Sequence, residues 1–474
     1  MRASRRLQIV ASTMAIALFG LATPAMASTG DHGDDPGDGG GAGNQPLPGY
    51  IVDNPPLDPL VVRGAPTTVH QGILNHAAFD IEVPAEWNGN LVVYAHGFRG
   101  QGTVLTVDTP PYDLRTKLVN EGYAWAASSY YDNGYDVRAG VLSTRDLTNY
   151  THEVLADDDR SEGHHRMASG HDGDEGRTYL IGVSMGGHVT GRSIEQFPRL
   201  YDGAMPMCGV LGDNELFDFF FDENLVAQAL AGVSNYPPTP DYLSAVVPGI
   251  QSALGIDVLG PVGPDTTTAL GKQFRSIVID RSGGQRPGAN ASFAVWKDFM
   301  FSLWTPDNGG TLAQNPGRLG TNVATVYSPN TPVDVNAVVA RVAPTDPASR
   351  ASRALTQSPQ IFGRPRVPVL TMHDIGDLFV PFSMEQIYAR DVARNHRSDL
   401  VVQRAVRAAG HCEFSPAEVA RGFDDLVSWV DSGVRPAGDP VSDRTAVADP
   451  SFGCRFTDPS AFFTGSRPLF GPCP

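Results

Sequence analysis

The stretch Thr178-Tyr179-Leu180-Ile181-Gly182-Val183-Ser184-Met185-Gly186-Gly187 decides which fold the chain is predicted to adopt. Its apolar start predicts a buried strand, and a helical pattern begins near Met185. A serine between two glycines at such a junction is typical of a sharp turn that lifts the hydroxyl clear of a sheet. Gly182 and Gly186 provide residues without bulk two positions before and after Ser184. We therefore interpret Ser184 as a candidate nucleophile.

Apolar runs that predict further strands lie on both sides of this elbow. An alternating segment at 78–83 predicts a half-exposed strand, whereas the continuous apolar run at 91–95 is typical of a buried parallel strand. Further runs lie at 123–129, 178–182, 203–207, 367–372 and 400–403, with helical patterns at 114–121, 137–156 and 187–197 and after Ser415. This alternation predicts an α/β fold, with a mostly parallel central sheet and helices on both faces.

The pattern breaks between 212 and 365, where helical stretches at 215–230 and 292–303 alternate with proline-rich connections. An insertion of this length is too long for a loop and needs packing of its own, so we predict a large, mainly helical cap or lid. Its aromatic segment at 217–221 either packs the cap against the core, the interpretation we favour, or lines a pocket. The predicted catalytic domain then comprises 50–211 and 366–435, and 436–474 forms a C-terminal tail.

Residues 1–27 have the pattern of a secretory signal peptide. Arginines precede an apolar stretch, and Ala25-Met26-Ala27 fits a signal-peptidase site. The apolar stretch is too short to span a membrane, and no comparable run follows it. Residues 28–49 are rich in glycine and aspartate and predict a flexible acidic linker. We therefore expect a secreted protein without a membrane-embedded part.

Net charge and composition restrict the partners and the size of the core. The 474-residue chain has a formal net charge of −17, so nucleic acid and anionic membrane surfaces would be repelled rather than bound. With 41% hydrophobic and 18% charged residues, the chain is able to form a sizeable core. The sequence predicts no particular oligomeric state.

The four cysteines of the chain, an even number, suggest two disulfides in an exported protein. Three pairings are possible. Cys454 and Cys473 flank a short proline- and glycine-rich tail, and closing that loop would stabilise it by about 3 kcal/mol in the chain-entropy model. This leaves Cys208 to pair with Cys412, which would join a segment after the elbow helix to the residue that follows His411. The alternative is four buried thiols.

A serine hydroxyl needs a base within hydrogen-bond reach and a carboxylate that orients this base. His411 is the candidate base, because it lies between the last predicted strand and the last predicted helix, where a loop would reach the elbow. Two aspartates, Asp374 and Asp377, follow the strand at 367–372. We choose Asp377 as the acid from its spacing to Val380-Pro381, and Asp374, placed within the turn, remains the alternative.

Two backbone amides would stabilise the oxyanion of a tetrahedral intermediate, each by about 3 to 4 kcal/mol. We assign them to Met185, directly after the serine, and to Phe98, where Gly97 permits the chain to turn. His96 is expected to brace that turn. The histidines and acids of 164–175 include no HExxH pattern or similarly constrained ligand frame, so we predict a solvated loop and no metal site.

In combination, these motifs resemble those of the α/β-hydrolase superfamily, in particular of its secreted bacterial serine esterases and amidases. The resemblance covers about 70–211 and 366–433 and depends on Val83-Pro84-x-x-Trp87-Asn88-Gly89, His96-Gly97, Gly182 to Gly187, Asp377 with Val380-Pro381, and Gly410-His411-Cys412. It implies hydrolysis of esters or amides without a cofactor. Secreted relatives such as tannases and feruloyl esterases often carry a cysteine just before the nucleophile, bridged to the one after the histidine. Val183 stands at that position in this chain, so Cys208 would take its part.

The sequence leaves three hypotheses of function open. The first is a secreted serine hydrolase that cleaves carboxylic esters of a small or chain-end substrate through an acyl-enzyme. In it Ser184 attacks, His411 moves the proton and Asp377 orients the imidazole. The second is an amidase or exopeptidase that uses the same three residues. The third is a binding protein that keeps the fold without catalysis.

Overall fold

The computed structural model of the protein describes residues 43–161, 176–304, 312 and 315–473. The predicted signal peptide, residues 28–42 of the predicted linker and the predicted solvated loop at 164–175 lie outside these residues. Of the helices in the described part of the chain, none is long and apolar enough to cross a membrane.

An eight-stranded sheet forms the centre of the described chain. Its strands, in chain order, are β1 (Thr68–Leu74), β2 (Ala77–Val83), β3 (Leu91–Ala95), β4 (Ala124–Ser128), β5 (Thr178–Val183), β6 (Gly203–Met207), β7 (Val369–Asp374) and β8 (Val401–Val406). They lie side by side in the order β1-β2-β4-β3-β5-β6-β7-β8, and only β2 runs against the others. The mostly parallel sheet that the sequence predicts is confirmed. Two further pairs of short strands lie outside this sheet, Ile51–Val52 with Val104–Leu105 and Val61–Val62 with Ala65–Pro66.

The prediction of a half-exposed strand at 78–83 is wrong, because every residue of β2 is buried. β2 pairs on both sides, with β4 and with β1, a strand that the sequence patterns do not predict. The buried Glu82 carboxylate accepts hydrogen bonds from Arg115 Nε (2.7 Å), Trp125 Nε1 (2.8 Å) and the Thr67 hydroxyl (2.6 Å). A polar residue in an alternating strand is therefore not exposed when donors enclose it.

Helices cover both faces of the sheet. Side chains of β3 alternate between two apolar clusters: Val93 joins the cluster of Val189 in α3, and Val92 joins that of Leu118 in α1 and Phe423 in α12. The helices are α1 (Leu114–Asn120), α2 (Val137–Ser161), α3 (Met185–Gln196), α4 (Glu215–Ala231), α5 (Val247–Leu254), α6 (Ala269–Arg281), α7 (Ala289–Trp296), α8 (Phe299–Ser302), α9 (Val335–Val338), α10 (Pro347–Ala351), α11 (Ser383–Arg394), α12 (Pro416–Ser432) and α13 (Arg444–Val447). A π-helical turn at Tyr242–Val246 precedes α5, and short 3₁₀ helices lie at Pro316–Arg318, Ser398–Leu400, Pro459–Ala461 and Arg467–Phe470. The predicted covering of the sheet on both faces is confirmed.

The segment predicted as a cap, 212–365, contains α4 to α10, and its described residues include no strand. The single helix predicted at 292–303 is two helices, α7 and α8. The phenylalanines of 217–221 are buried and belong to the same apolar cluster as Val93 of the sheet. This aromatic segment therefore packs helices of the insertion against the core, the interpretation that the sequence favours.

The last long helix, α12, begins directly after Ser415, where the sequence predicts a helix. The Ser415 hydroxyl accepts a hydrogen bond from the amide of Glu418 (3.2 Å), and the Glu418 carboxylate accepts one from the amide of Ser415 (2.8 Å). Pro416 occupies the first helical position, and Gly433 follows the last turn at a φ of 72°. Ser415 and Glu418 thus form a capping box, which places the start of α12 shortly after His411.

The C-terminal tail is joined to itself by the disulfide between Cys454 and Cys473, whose Cα atoms are 5.6 Å apart. Phe452 and Phe470 of the tail are buried in a third apolar cluster, together with Ile375 after β7. The tail therefore packs against the loop that follows β7.

Candidate active site

The serine elbow lies between β5 and α3. Ser184 has φ 59° and ψ −120°, a conformation that non-glycine residues rarely adopt. Its amide donates a hydrogen bond to the carbonyl of Met207 in β6 (3.0 Å). A Cβ atom on Gly182 would lie 2.0 Å from the carbonyl oxygen of Gly186, and one on Gly186 would lie 2.0 Å from that of Ala95. Both glycines are therefore required by the closeness of the surrounding backbone.

Three side chains far apart in sequence meet above this elbow. His411 Nε2 lies 2.8 Å from Ser184 Oγ, and His411 Nδ1 lies 2.5 Å from Asp377 Oδ2. Because a carboxylate only accepts, Nδ1–H donates to Asp377, which leaves Nε2 to accept from the serine hydroxyl. Asp377 is fully buried, whereas Ser184 and the side chain of His411 are 9% and 13% exposed. The serine and the imidazole thus remain within reach of a small molecule.

Asp377 follows β7, and its second carboxylate oxygen is held by the backbone. Oδ1 accepts hydrogen bonds from the amides of Phe379 (2.8 Å) and Val380 (3.1 Å). These two bonds fix the carboxylate while Oδ2 faces His411.

The alternative acid, Asp374, occupies a different environment. It is the last residue of β7 rather than part of the turn, and its Oδ2 accepts from the amide of Glu413 (2.6 Å). Its Oδ1 is buried with no hydrogen-bond partner among the described residues. Burial, together with the negative charges of Asp377 and Glu413, raises the pKa of Asp374 well above its usual range. The structure therefore places Asp377, and not Asp374, against the imidazole.

A disulfide joins Cys208, directly after β6, to Cys412, directly after His411, with their Cα atoms 5.4 Å apart. Cys412 is also held through its carbonyl oxygen, which accepts from the Tyr112 hydroxyl (2.8 Å). Both disulfides therefore join the cysteines that the sequence analysis paired. Among the described residues, the only group of three potential metal ligands is Cys208, His411 and Cys412, and its two sulfurs are bonded to each other rather than present as thiolates.

The residues assigned to the oxyanion hole lie on either side of Ser184. Met185 is the first residue of α3, where amides have no acceptor within the helix. Gly97, next to Phe98, is so close to the elbow that a Cβ atom would lie 3.1 Å from Ser184 Cβ. The half-buried Phe98 thus follows a segment in contact with the serine.

His96 holds the segment that precedes Phe98. Its Nδ1 lies 2.7 Å from the carbonyl oxygen of Gly97, and its Nε2 lies 3.1 Å from that of Ser129. The ring stacks on Tyr130 with a centroid distance of 3.9 Å, and the Tyr130 hydroxyl donates to the carbonyl of His96 (3.0 Å). Burial lowers the pKa of His96. These contacts fit the expected bracing of the turn.

A cluster of aromatic rings begins at the imidazole, and of its members the sequence analysis considered only Phe220, within the segment 217–221. Phe379 packs edge-on against His411, with 5.0 Å between ring centroids. Phe299 of α8 packs edge-on against Phe379 at 5.0 Å, and Phe220 of α4 stacks on Phe379 at 6.3 Å. Phe379 and Phe299 are partly exposed. The sequence analysis missed Phe379 and Phe299, and the position of Phe379 two residues after Asp377 was the local signal that could have identified the first of them.

Comparisons with known proteins give distant similarities. No protein-family profile matches the chain. A stretch of 96 residues is 34% identical to the o-phthalyl amidase of Xanthobacter agilis, and it covers 20% of this chain and 21% of that protein. The match thus spans about a fifth of the length of this curated relative.

Solved structures with a similar course of the chain include an esterase from Aspergillus oryzae and the tannin acyl hydrolase from Aspergillus niger. The first is 13% identical, covers 78% of this chain and 81% of its own, and has a TM-score of 0.42. The second is 13% identical, covers 79% of this chain and 81% of its own, and has a TM-score of 0.45.

The three side chains of the candidate site lie at the same end of the central sheet. Ser184 directly follows β5, which lies near the middle of the sheet, between β3 and β6. Asp377 and His411 follow β7 and β8, so all three side chains lie at the carboxyl ends of parallel strands. A largely parallel sheet that is covered by helices on both faces, with a serine elbow after its fifth strand, is the α/β-hydrolase fold, and this chain has it.

Proposed function

We propose that the protein is a serine hydrolase that cleaves carboxylic esters through an acyl-enzyme. The proposal depends on one observation, the continuous hydrogen-bond chain from the Ser184 hydroxyl through His411 to the Asp377 carboxylate. A hydroxyl, an imidazole and a buried carboxylate in this order form the relay that activates the nucleophile of a serine hydrolase.

The reaction has two stages on the same residues. His411 Nε2 takes the proton of the Ser184 hydroxyl as Oγ attacks the carbonyl carbon, and the amides of Met185 and Phe98 stabilise the resulting oxyanion. The imidazolium, held by Asp377, gives its proton to the departing alcohol, and the acyl group remains on Ser184. Water then loses a proton to His411, attacks the acyl carbon and releases the acid as the proton returns to Ser184.

We propose further that 50–211 and 366–435 form the catalytic domain and that 212–365 covers it as a cap. The contacts of Phe220 and Phe299 with Phe379 support this division, because they bring rings of the insertion against the ring that packs on His411. A covered site with aromatic walls suits a small or chain-end substrate that has an apolar group next to the carbonyl.

Export from the cytoplasm is part of the same proposal. Both disulfides support it, because such bonds persist in oxidising compartments and are rare in the cytosol. The acidic composition supports a partner that is neither nucleic acid nor an anionic membrane.

The test compares wild type with Ser184→Ala, using a fluorophosphonate probe and an aryl ester. We expect the probe to label the wild type alone and ester hydrolysis to be lost in the variant, while its thermal melt stays at the wild-type temperature. If neither protein is labelled, the chain is a binding protein on a hydrolase fold, and the proposal is overturned.

An amidase is the second candidate, and the 34% identity with an amidase over 96 residues favours it. The same relay would serve, but His411 would have to protonate a poorer leaving group. Matched aryl ester and anilide substrates separate the two functions. A higher kcat/KM for the anilide would replace the ester assignment.

A further inference from the structure

A buried arginine of the proposed cap contacts the loop that carries Asp377. Arg286 lies between α6 and α7 and is only 6% exposed. Its Nε donates to the carbonyl oxygen of Ile375, two residues before Asp377. Its Nη1 donates to the carbonyl of Gly284 (2.7 Å), and its Nη2 donates to the Ser282 hydroxyl (3.1 Å). The guanidinium therefore ties the insertion to the backbone of the acid loop.

The same loop is enclosed by α7 and by the chain after β8. A Cβ atom on Gly376 would lie 2.3 Å from Ser292 Oγ of α7 and 2.7 Å from the carbonyl oxygen of Ala408. Trp296 of α7 donates its indole N–H to the carbonyl of Ala409 (2.6 Å), two residues before His411. One short segment of the insertion, from Arg286 to Trp296, thus contacts both the acid loop and the base loop.

Arg286 also contributes a positive charge beside the acid. Burial lowers the pKa of Arg286 to about 10, and the negative charge of Asp377 counteracts that effect. Among the described residues, the other titratable groups that face Asp377 are His411, His373 and Asp374. The guanidinium of Arg286 stays cationic across the whole pH range in which a histidine base works, whereas an imidazole such as His373 loses its charge as pH rises.

From this geometry we propose that Arg286 is a positioning residue for the acid of the relay, acting from the insertion through the Ile375 carbonyl and through its charge. The inference rests on the proposed function of Ser184, His411 and Asp377. Arg286 touches neither the imidazole nor the serine, so it acts by fixing the loop from which Asp377 points. Because a displacement of about 1 Å at a reacting group costs about 100-fold in rate, a loop contact of this kind affects catalysis strongly.

Two variants separate geometry from charge. Arg286→Gln removes the charge and shortens the donor, so we expect kcat/KM to fall by about 100-fold and the acid limb of its pH profile to move to higher pH. The limb moves upward because, without the nearby cation, protonation of the His411–Asp377 pair costs less. Arg286→Lys keeps the charge but loses the planar guanidinium that donates to several acceptors at once. We therefore expect kcat to fall by about 10-fold, with the acid limb of the pH profile at its wild-type pH. KM should change little in both variants.

Arg407 provides a matched control. It is 3% exposed and also donates to backbone carbonyls, those of Phe452 (Nε, 2.8 Å) and Pro450 (Nη2), but the charged group that faces it is Asp449 and not Asp377. Arg407→Gln should lower the melting temperature without moving the acid limb. A limb shift of the same size in Arg407→Gln would overturn the proposal, because it would then reflect a general loss of packing.

The remaining outcomes are also decisive. An active wild type whose folded Arg286→Gln variant keeps the wild-type acid limb and kcat overturns this inference alone. If Arg286→Gln does not fold, Arg286→Lys decides: full wild-type kcat overturns the positioning role, and a lower kcat with unchanged KM supports it. A wild type that neither hydrolyses the ester nor reacts with a fluorophosphonate overturns the proposed function, and this inference with it.

Discussion

Two pairs of an imidazole and a carboxylate among the described residues, His411 with Asp377 and His373 with Glu385, differ in what the second ring nitrogen contacts. His411 Nδ1 lies 2.5 Å from Asp377, and its Nε2 lies 2.8 Å from the Ser184 hydroxyl. His373 Nδ1 lies 3.3 Å from Glu385, but its Nε2 donates to the carbonyl of Val380 (2.8 Å). The same two functional groups thus lie in one case beside a nucleophile and in the other against the backbone.

The carboxylates differ in the same way. Glu385 accepts from the Thr371 hydroxyl (2.6 Å) and from Gln403 Nε2 (2.5 Å), and both it and His373 are fully buried. Each hydrogen-bonding atom of the His373 ring has a protein partner, so this pair offers nothing to a substrate. The comparison teaches that an imidazole–carboxylate pair by itself does not indicate catalysis. The second nitrogen must face a group that reacts.

The largest expected difference comes from removing each imidazole. His411→Ala should lower kcat by about 10⁶-fold, because the base of the relay is lost, with little change in stability. His373→Ala should instead lower the free energy of unfolding by about 3 to 5 kcal/mol, because Glu385 is left buried without its partner. Turnover and thermal melts on the two variants measure both effects. If folded His373→Ala loses as much kcat as His411→Ala, the contrast between the pairs is wrong.

The two aspartates after β7 provide the next largest contrast. Asp377→Asn should lower kcat by about 10⁴-fold, because the amide favours the wrong tautomer of His411. Asp374→Asn should keep kcat within about tenfold of wild type, since this residue does not contact the imidazole. A loss with Asp374→Asn as large as with Asp377→Asn would return the acid role to Asp374.

Asp374→Asn should also raise stability at neutral pH. A carboxyl whose folded pKa is raised loses stability as pH rises from its ordinary pKa, near 3.8, through the folded value, and asparagine has no proton to lose. Denaturant unfolding at pH 4 and pH 7 should therefore show a gain that is larger at pH 7. An equal or smaller gain at pH 7 would contradict the environment assigned to Asp374.

How much of this site the sequence predicts depends on how local each signal is. Ser184 has a local signal, because the glycines around it and the strand before it are consecutive in sequence. His411 and Asp377 can be identified because they follow Ser184 in the chain and each lies just after a predicted strand. This step requires only that the fold class is known. Each of these predictions uses residues within one strand, turn or helix start.

Contacts between distant segments could not be predicted in this way. Glu82 was expected to be exposed because its partners Arg115 and Trp125 are more than thirty positions away. The same holds for the contacts of Phe220 and Phe299 with Phe379 and for the contact of Arg286 with the acid loop. Their residue types indicate burial, but only the folded chain shows what they are buried against.

Removing the disulfide between Cys208 and Cys412 should lower kcat less than the substitutions above, and it should affect the pair of His411 and Asp377 but not that of His373 and Glu385. Replacing Cys208 and Cys412 by alanine should lower stability by about 5 kcal/mol in the chain-entropy model, because the disulfide joins residues 204 positions apart. It should also lower kcat by about tenfold, because the residue that follows His411 is no longer held by the disulfide. The matched control replaces Cys454 and Cys473, which should lower stability by about 3 kcal/mol and leave kcat unchanged. Equal kcat values for the two double variants would show that the first disulfide does not hold His411 in place.

The smallest expected effect is on how the stability of the protein depends on pH. In this effect His373 should differ from another buried histidine, His188. Burial alone would lower the pKa of His373, but the hydrogen bond and charge of Glu385, together with the charge of Asp377 and the carbonyl of Val380, raise it. Because the folded pKa is raised, the contribution to stability is complete below about pH 6.5 and is lost as pH rises through the folded value.

The pKa of His188 is shifted in the opposite direction, so its contribution to stability has the opposite pH dependence. Its Nε2 donates to the carbonyl of Pro359 (2.7 Å), and its Nδ1 accepts from the Tyr135 hydroxyl (3.0 Å), so the neutral ring is satisfied. Burial lowers the pKa of His188 to about 4, and its contribution is therefore lost as pH falls from about 6.5 towards 4. Relative to wild type, His373→Gln should flatten the loss of stability on the alkaline side, and His188→Gln should flatten it on the acid side. Denaturant unfolding from pH 4 to 9 measures both slopes, and equal slopes in the two variants would mean that the pair with Glu385 carries no charge.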